Sequence, residues 1–241
     1  MVANVVLEEE SALAQPAPSP GRDEVLARYR HLREISRRHH AKVLDLVSRD
    51  TLMQHARRLG LAHGNTLILD SMDDLTLCYD LAVYTGPADR SRAIDRYARS
   101  AQLAQGSDEA LMLEAMRNAR FALIAVERPH EAAGLIVTDL FRKAELWLVD
   151  EGLEMSLPVG AAHAIRYYTT DSFVMTAGVG MPVDSDLITH ALDLAPFLRR
   201  KPPAEAIEDR RFAEAIYRAA IEDGITENAR YQDVPGTGEA A

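Results

Sequence analysis

Cysteine, tryptophan and net positive charge are all scarce in this chain. Of 241 residues one is cysteine, Cys78, and one is tryptophan, Trp147. A single thiol excludes an internal disulfide and a cysteine-based zinc cage, and it points to a reducing compartment, the cytoplasm. No uninterrupted apolar run approaches the roughly 18 residues of a membrane-spanning helix. The opening stretch, MVANVVLEEESALAQPAPSPG, has no basic segment and places three glutamates after a short apolar run, so it is a poor secretory signal. A formal net charge of −10 sets up a field that repels nucleic acid and anionic membranes before local contacts form.

What is present is a chain of 47% hydrophobic residues, enough to bury one good core or two small ones without staples. Its charge is uneven. Asp23 to Arg58 holds nine bases against five acids, a local charge of +4, whereas Pro202 to Ala241 holds four against nine, a local charge of −5. A basic front and an acidic rear can neutralise each other within one chain or between copies.

Punctuation and period divide the chain. Residues 1–22, with Pro16, Pro18 and Pro20, read as a flexible leader. Residues 23–118 read as mainly helical. Val25, Tyr29, Leu32, Ser36, His39, Val43 and Leu46 fall on one helical seam, with Arg30, Arg33, Arg37, Arg38 and Lys42 largely outside it. Another helix starts near Asp50 or Thr51, and GNTLILDS reads as briefly extended. MDDLTLCYDLAVYT fits both periods and is assigned to helix. Helices follow over Asp89 to Ala104 and over GSDEALMLEAMRNAR, the latter with Leu111, Met112, Ala115, Met116 and Ala119 as its buried stripe. In residues 119–182 the period becomes two: FALIAVER, GLIVTDLF, ELWLVDE, AHAIRYYT and SFVMTAGV are five short strand segments, several apolar on both faces. Two-sided apolarity suits a small sheet that closes on itself and is also covered by helices. Residues 183–228 read as two helices split at Pro202-Pro203, and 229–241 as a disordered tail. The expected fold is α+β: N-terminal helices, a small five-stranded antiparallel barrel of SH3/Sm-like kind in the middle, and C-terminal helices.

Residues 112–182 carry Ala119-Arg120, GLIVTDL at Gly134 to Leu140, the acidic turn Asp150 to Gly152, Pro158 and Gly160, and Ala164 with Arg166. This pattern resembles a segment of poorly characterised bacterial proteins of unknown function, a small β-barrel region that also occurs in some proteins carrying a SEC-C zinc motif. The chain has no SEC-C motif, so zinc does not transfer. It reads Arg142-Lys143-Ala144 where the family often has a glycine. The resemblance implies a shared barrel and no reaction.

Asp139, Asp150 and Glu151 end two of the strand segments, which raises paired acid–base catalysis. A hairpin turning at Arg142-Lys143 sets Asp139 and Asp150 a strand-length apart, so solvated termini or partners for Arg120 and Arg166 are the favoured reading. His39, His40, His55 and His63 include no pair at the three- or four-residue spacing that presents two imidazoles to one ion, and no metal is expected. Cys78, among Asp73, Asp74 and Asp80, reads as inert. GVGMP lacks a phosphate-loop pattern, and no serine sits in a nucleophile elbow. No catalytic residue and no cofactor follow.

The favoured reading is a non-enzymatic protein-interaction or regulatory module that meets a protein partner or a second copy of itself. Trp147, with Asp150 and Glu151, is its candidate contact, since a desolvated Trp concentrates binding energy. The first alternative is binding of RNA or single-stranded nucleic acid by the helix over 28–42, through Arg30, Arg33, Arg37 and Arg38 with Tyr29 stacking on a base. Interspersed acids and the total charge weigh against it. A hydrolase using Asp139, Asp150 and Glu151 is the second alternative. No membrane partner is expected.

Overall fold

The computed structural model describes residues 20–69, 71–86 and 91–225. Nearly all of the expected leader and the whole expected tail lie outside the described residues. Helix α1 (Arg22–Leu44) buries the expected seam from Val25 to Val43 and adds Leu26, Arg33 and Ile35. Two expectations fail here. Leu46 lies beyond the helix and is 41% exposed. Arg33, expected on the wet face, is buried because the barrel reaches around that side of α1.

Helix α2 (Arg49–Arg58) starts at Ser48, whose hydroxyl accepts from the Thr51 amide. The extended part of GNTLILDS is one side of a two-stranded hairpin, β1 (Ala62–His63) with β2 (Thr66–Leu67). The stretch that fits both periods is helix α3 (Met72–Tyr84). Its decisive local signal is a capping box: Ser71 Oγ accepts from the Asp73 and Asp74 amides, and the Asp74 carboxylate accepts from the Ser71 amide. Helices α4 (Ala93–Ser100) and α5 (Asp108–Arg117) follow, α5 capped by Ser107. Leu111 does not join the α5 stripe: it is 54% exposed, and Leu113 is buried instead.

Strands β3 (Arg120–Pro129), β4 (Leu135–Asp139) and β5 (Ala144–Leu148) form a meander. Helix α6 (Glu151–Ser156) comes next, then β6 (Ala162–Thr169) and β7 (Val174–Pro182). The five strands close into a barrel in the ring order β3-β4-β5-β7-β6. Every pairing is antiparallel except β5 with β7, which is parallel and rests on Leu148 opposite Val174. An SH3/Sm-like meander would pair each strand with its neighbour in sequence. Here α6 intervenes after the third strand, so the fourth returns beside the first and the fifth slots between third and fourth. That is the Greek-key connectivity of an OB-fold.

The two-sided apolarity resolves into layers. Ala122, Ile124, Val126, Leu135, Val137, Leu148, Ile165, Tyr167 and Val174 pack together as the barrel interior. The alternate residues Phe121, Leu123, Ala164, Val179 and Met181 face outward onto α2, α3, α7 (Ser185–Leu194) and α9 (Arg210–Glu222). Tyr168, Phe173, Met175 and Ala177 meet α1, α4 and α5 in a further cluster. A 3-10 turn (Leu198–Arg200) and short helix α8 (Pro203–Ala206) fill the break at Pro202-Pro203 between α7 and α9. The described fold is therefore the expected α+β arrangement.

Two turns set the barrel's register. At the β4–β5 hairpin, Lys143 adopts φ of 56°, the left-handed conformation that glycine favours. Gly134, before β4, has φ of 79°, and a Cβ there would overlap the Leu148 carbonyl oxygen. Gly160 has φ of 84° with open space around it. We expect Gly160→Ala to lower unfolding free energy by about 1 kcal/mol, from backbone conformation alone. Gly134→Ala should lower it by more than about 2 kcal/mol, since β5 must also shift. Urea titration followed by circular dichroism compares the two, and equal losses would contradict the close approach.

Candidate functional site

The acids singled out in the sequence do not converge. Asp139 ends β4 and Asp150 follows β5, and the antiparallel register puts Asp139 opposite Ala144 and Leu135 opposite Leu148. Four residues of strand, on the order of 13 Å, separate the two ends. Neither acid is solvated. Asp139 is fully buried, accepts from the Phe141 and Arg142 amides, and pairs with Arg142 at 2.5 Å. Asp150 is 4% exposed and caps α6, accepting from the Gly152 and Leu153 amides. The partners differ from those expected, too: Arg166 pairs with Asp80, not with Asp139 or Asp150.

The arginines of α1 supply the missing counter-charges. Arg33 Nη2 donates to Asp150 Oδ2 at 2.8 Å and to Thr176 Oγ1 at 2.9 Å, while Nη1 donates to the Thr176 carbonyl at 2.6 Å. Thr176 Oγ1 in turn donates to Asp150 Oδ2 at 2.5 Å. This cluster sits where β5 and β7 meet, so one guanidinium from α1 ties both strands of the parallel seam. One turn earlier, Arg30 forks onto Glu151 at 3.1 and 2.5 Å. The Arg30 hydrogen bond outweighs the opposing effect of burial and holds the Glu151 carboxyl below the usual carboxylate range. Residues assigned in the sequence to rival sites, Arg30 and Arg33 to phosphates and Asp150 and Glu151 to a partner, are thus each other's partners. Arg38 lies 3.7 Å from Glu34 and 3.5 Å from Glu109, and Arg37 borders a cleft against α3.

Trp147 is half-buried on β5. Its Nε1 donates to the Ala133 carbonyl at 2.7 Å, His130 stacks on its ring at 4.0 Å, and Phe173 meets it edge-on at 5.7 Å. Helix α1 also crosses the two barrel loops nearby: Arg22 donates to the Ala132 carbonyl and Arg28 pairs with Asp171. OB-folds grip oligonucleotides with these two loops, so the helical layer lies over the barrel's usual ligand face.

A second buried arginine anchors the opposite layer. Arg166 on β6 forks onto Asp80 of α3 at 2.7 and 2.8 Å, and Tyr217 of α9 donates to Asp80 Oδ2 at 2.9 Å. Burial works against the guanidinium charge, but the Asp80 carboxylate outweighs it and raises the pKa. Tyr84 lies under the same guanidinium at 5.0 Å, and its hydroxyl is 2.6 Å from His40 Nε2. In front of this network a cleft of about 390 Å³ opens between α1, α3 and β7. Ala41, Leu44, Val83, Ala177 and Val179 form apolar walls, and Arg37, His40 and Tyr79 supply polar edges. Sequence reading missed this cleft, because its members lie on three elements far apart in the chain.

Among the described residues no group of three or more His, Cys, Asp or Glu is placed to hold a metal ion. Burial pushes the Cys78 thiol up to about 12, so it offers no nucleophile at neutral pH. No helix of the described residues is long and apolar enough to cross a membrane.

Fold and site together define an α+β protein whose five-stranded closed barrel is wrapped by helices and pinned by two buried arginines. The chain belongs to a family of unknown function (DUF7986), whose model matches residues 23–230. No curated protein and no solved structure matches it.

Two measurements probe these buried groups. Arg33→Met strands Asp150 and should lower unfolding free energy by about 3–5 kcal/mol, against less than about 1 kcal/mol for Arg30→Met at the exposed pair. Similar losses in urea titration would refute the seam role of Arg33. Burial depresses His55 to about 4, with the Arg58 charge adding to it, and lowers His39 and His163 as well. The unfolded chain then binds protons that the native state refuses. Stability is accordingly full above the ordinary histidine pKa and falls as pH drops from about 6.5 toward 4, His55 contributing up to roughly 3 kcal/mol. His55→Gln should flatten that slope, and an unchanged slope would assign the loss elsewhere.

Proposed function

We propose that this chain is a cytoplasmic bacterial module with no reaction of its own, which regulates or is regulated through a protein partner seated in the cleft between α1, α3 and β7. The observation that carries this reading is where the charges go. Asp139, Asp150 and Glu151 are each paired with an arginine, which supports the non-enzymatic reading over a hydrolase that uses these three acids. The same pairings engage Arg30 and Arg33, so the nucleic-acid alternative loses half of its four phosphate contacts. The cleft stays open, and its apolar walls suit one large apolar side chain as an anchor. Its floor adjoins Asp80 of α3, which is bonded to Arg166 of β6 and Tyr217 of α9, so an occupant bears on all three elements at once. The likeness of residues 112–182 to the barrel of SEC-C-motif proteins fits a module that works beside other domains.

A photo-crosslinking amino acid at Leu44, on the cleft rim, tests the proposal in host cells. The expected result is one discrete polypeptide adduct, a second copy of this chain included, that vanishes when Ala41→Trp fills the cleft while circular dichroism stays unchanged. No adduct, or one that survives Ala41→Trp, overturns the reading.

A further inference from the structure

A different hollow, of about 340 Å³, lies where α2, the end of α3, α4 and the start of α9 meet. Five arginines, Arg58, Arg92, Arg96, Arg210 and Arg211, border it, and among the described residues lining it Glu214 is the one acid. Three of these guanidiniums have carboxylate partners: Arg58 with Glu214, Arg92 with Asp95 and Arg211 with Asp209. Arg96 and Arg210 differ. Arg96 donates to the Ser91 and Leu46 carbonyls at 2.8 and 2.9 Å, and Arg210 donates to the Gly86 carbonyl at 2.6 Å. Carbonyl acceptors hold a guanidinium in position without neutralising it. Among the described residues these two fixed cations have no carboxylate partner, in a protein of net charge −10.

A second observation points the same way. His55 also lines the hollow, is only 6% exposed, and its Nδ1 has no hydrogen-bond partner among the described residues. Buried polar atoms are nearly always paired, and in its Nδ1–H tautomer this ring donates toward an acceptor held beside the cluster of cations. Gln54 and Thr51 on α2 add polar side chains to the same wall.

We propose that this hollow binds a phosphate-bearing small molecule, a phosphomonoester or diphosphate whose oxygens bridge Arg96 and Arg210. Guanidiniums match phosphate by paired N–H donors, which is why arginine rather than lysine dominates such sites. The hollow is at the small end of ligand-site volumes, which suits a phosphate carrying a compact polar body. A nucleic-acid polymer fits less well, because the chain's overall field repels a long polyanion while a short anion feels mainly the local arginines.

The test is calorimetric titration of the full chain with inorganic phosphate and with pyrophosphate, chloride holding ionic strength constant. Saturable one-to-one binding is expected, tighter for pyrophosphate, and weakened at least about tenfold in the Arg96→Gln/Arg210→Gln double variant. The double variant's thermal midpoint in chloride alone checks that it folds. Should it not fold, the NMR spectrum of the unsubstituted chain decides: phosphate must shift the His55 ring and Gln54 side-chain signals. Absence of saturation, equal binding by a folded double variant, or shifts confined to α1 overturns the proposal.

Discussion

The contact between Arg33, Asp150 and Thr176 is the constraint on which the architecture turns. A five-stranded barrel must close, and this one closes through a parallel seam of a single residue pair, Leu148 with Val174, extended by the Val149 amide donating to the Val174 carbonyl. So short a ladder contributes little by itself. What holds the seam is a buried guanidinium that bonds Asp150, two residues past β5, and two oxygens of β7, while its own helix packs Val25, Leu32 and Ile35 into the adjoining core. Removing one partner of such a set leaves the other charged and dry, so barrel closure and helix docking stand or fall together.

The same logic recurs on the far side. Arg166, Asp80 and Tyr217 join barrel, α3 and α9, and the Tyr84 ring packs against the guanidinium. Two arginines, one borrowed from a helix and one carried by a strand, thus staple the two helical layers to the barrel. Of the acids that resemble catalytic candidates in the sequence, Asp150 is the counter-charge of a staple, Asp139 that of the hairpin turn at Arg142 and Glu151 that of the exposed Arg30. The helical cover also lies over the loops by which an OB-type barrel takes oligonucleotides, which moves the search for ligands away from the barrel and onto clefts between helices.

Much of the architecture was legible in the residues. The seam of α1, the stripe of α5 apart from Leu111, the change of period near Arg120 and the five apolar segments follow from spacing, because one buried face recurs at 3.6 or 2 residues whatever it packs against. Helix α3 could have been settled by Ser71 and Asp74, a capping box that works within four residues. The ring order could not. Segments of five to ten residues with apolar side chains on both faces do not record which neighbour each will meet, and the short helix after Asp150 was hidden inside an acidic strand end.

Charge partners were the least legible of all. Local chemistry determined that the chain folds as helices around a small two-sided sheet and that its one thiol sits among acids and apolar side chains, since each depends on composition or on spacing along a few residues. Only the tertiary structure decided that Arg33 is dry, that Asp150 belongs to it across 117 residues of chain, and that Arg96 and Arg210 share a hollow with His55. The physical reason is range. Periodicity and capping act between near neighbours, whereas the pairing of a buried charge is selected by whichever opposite charge the finished packing brings within hydrogen-bond reach.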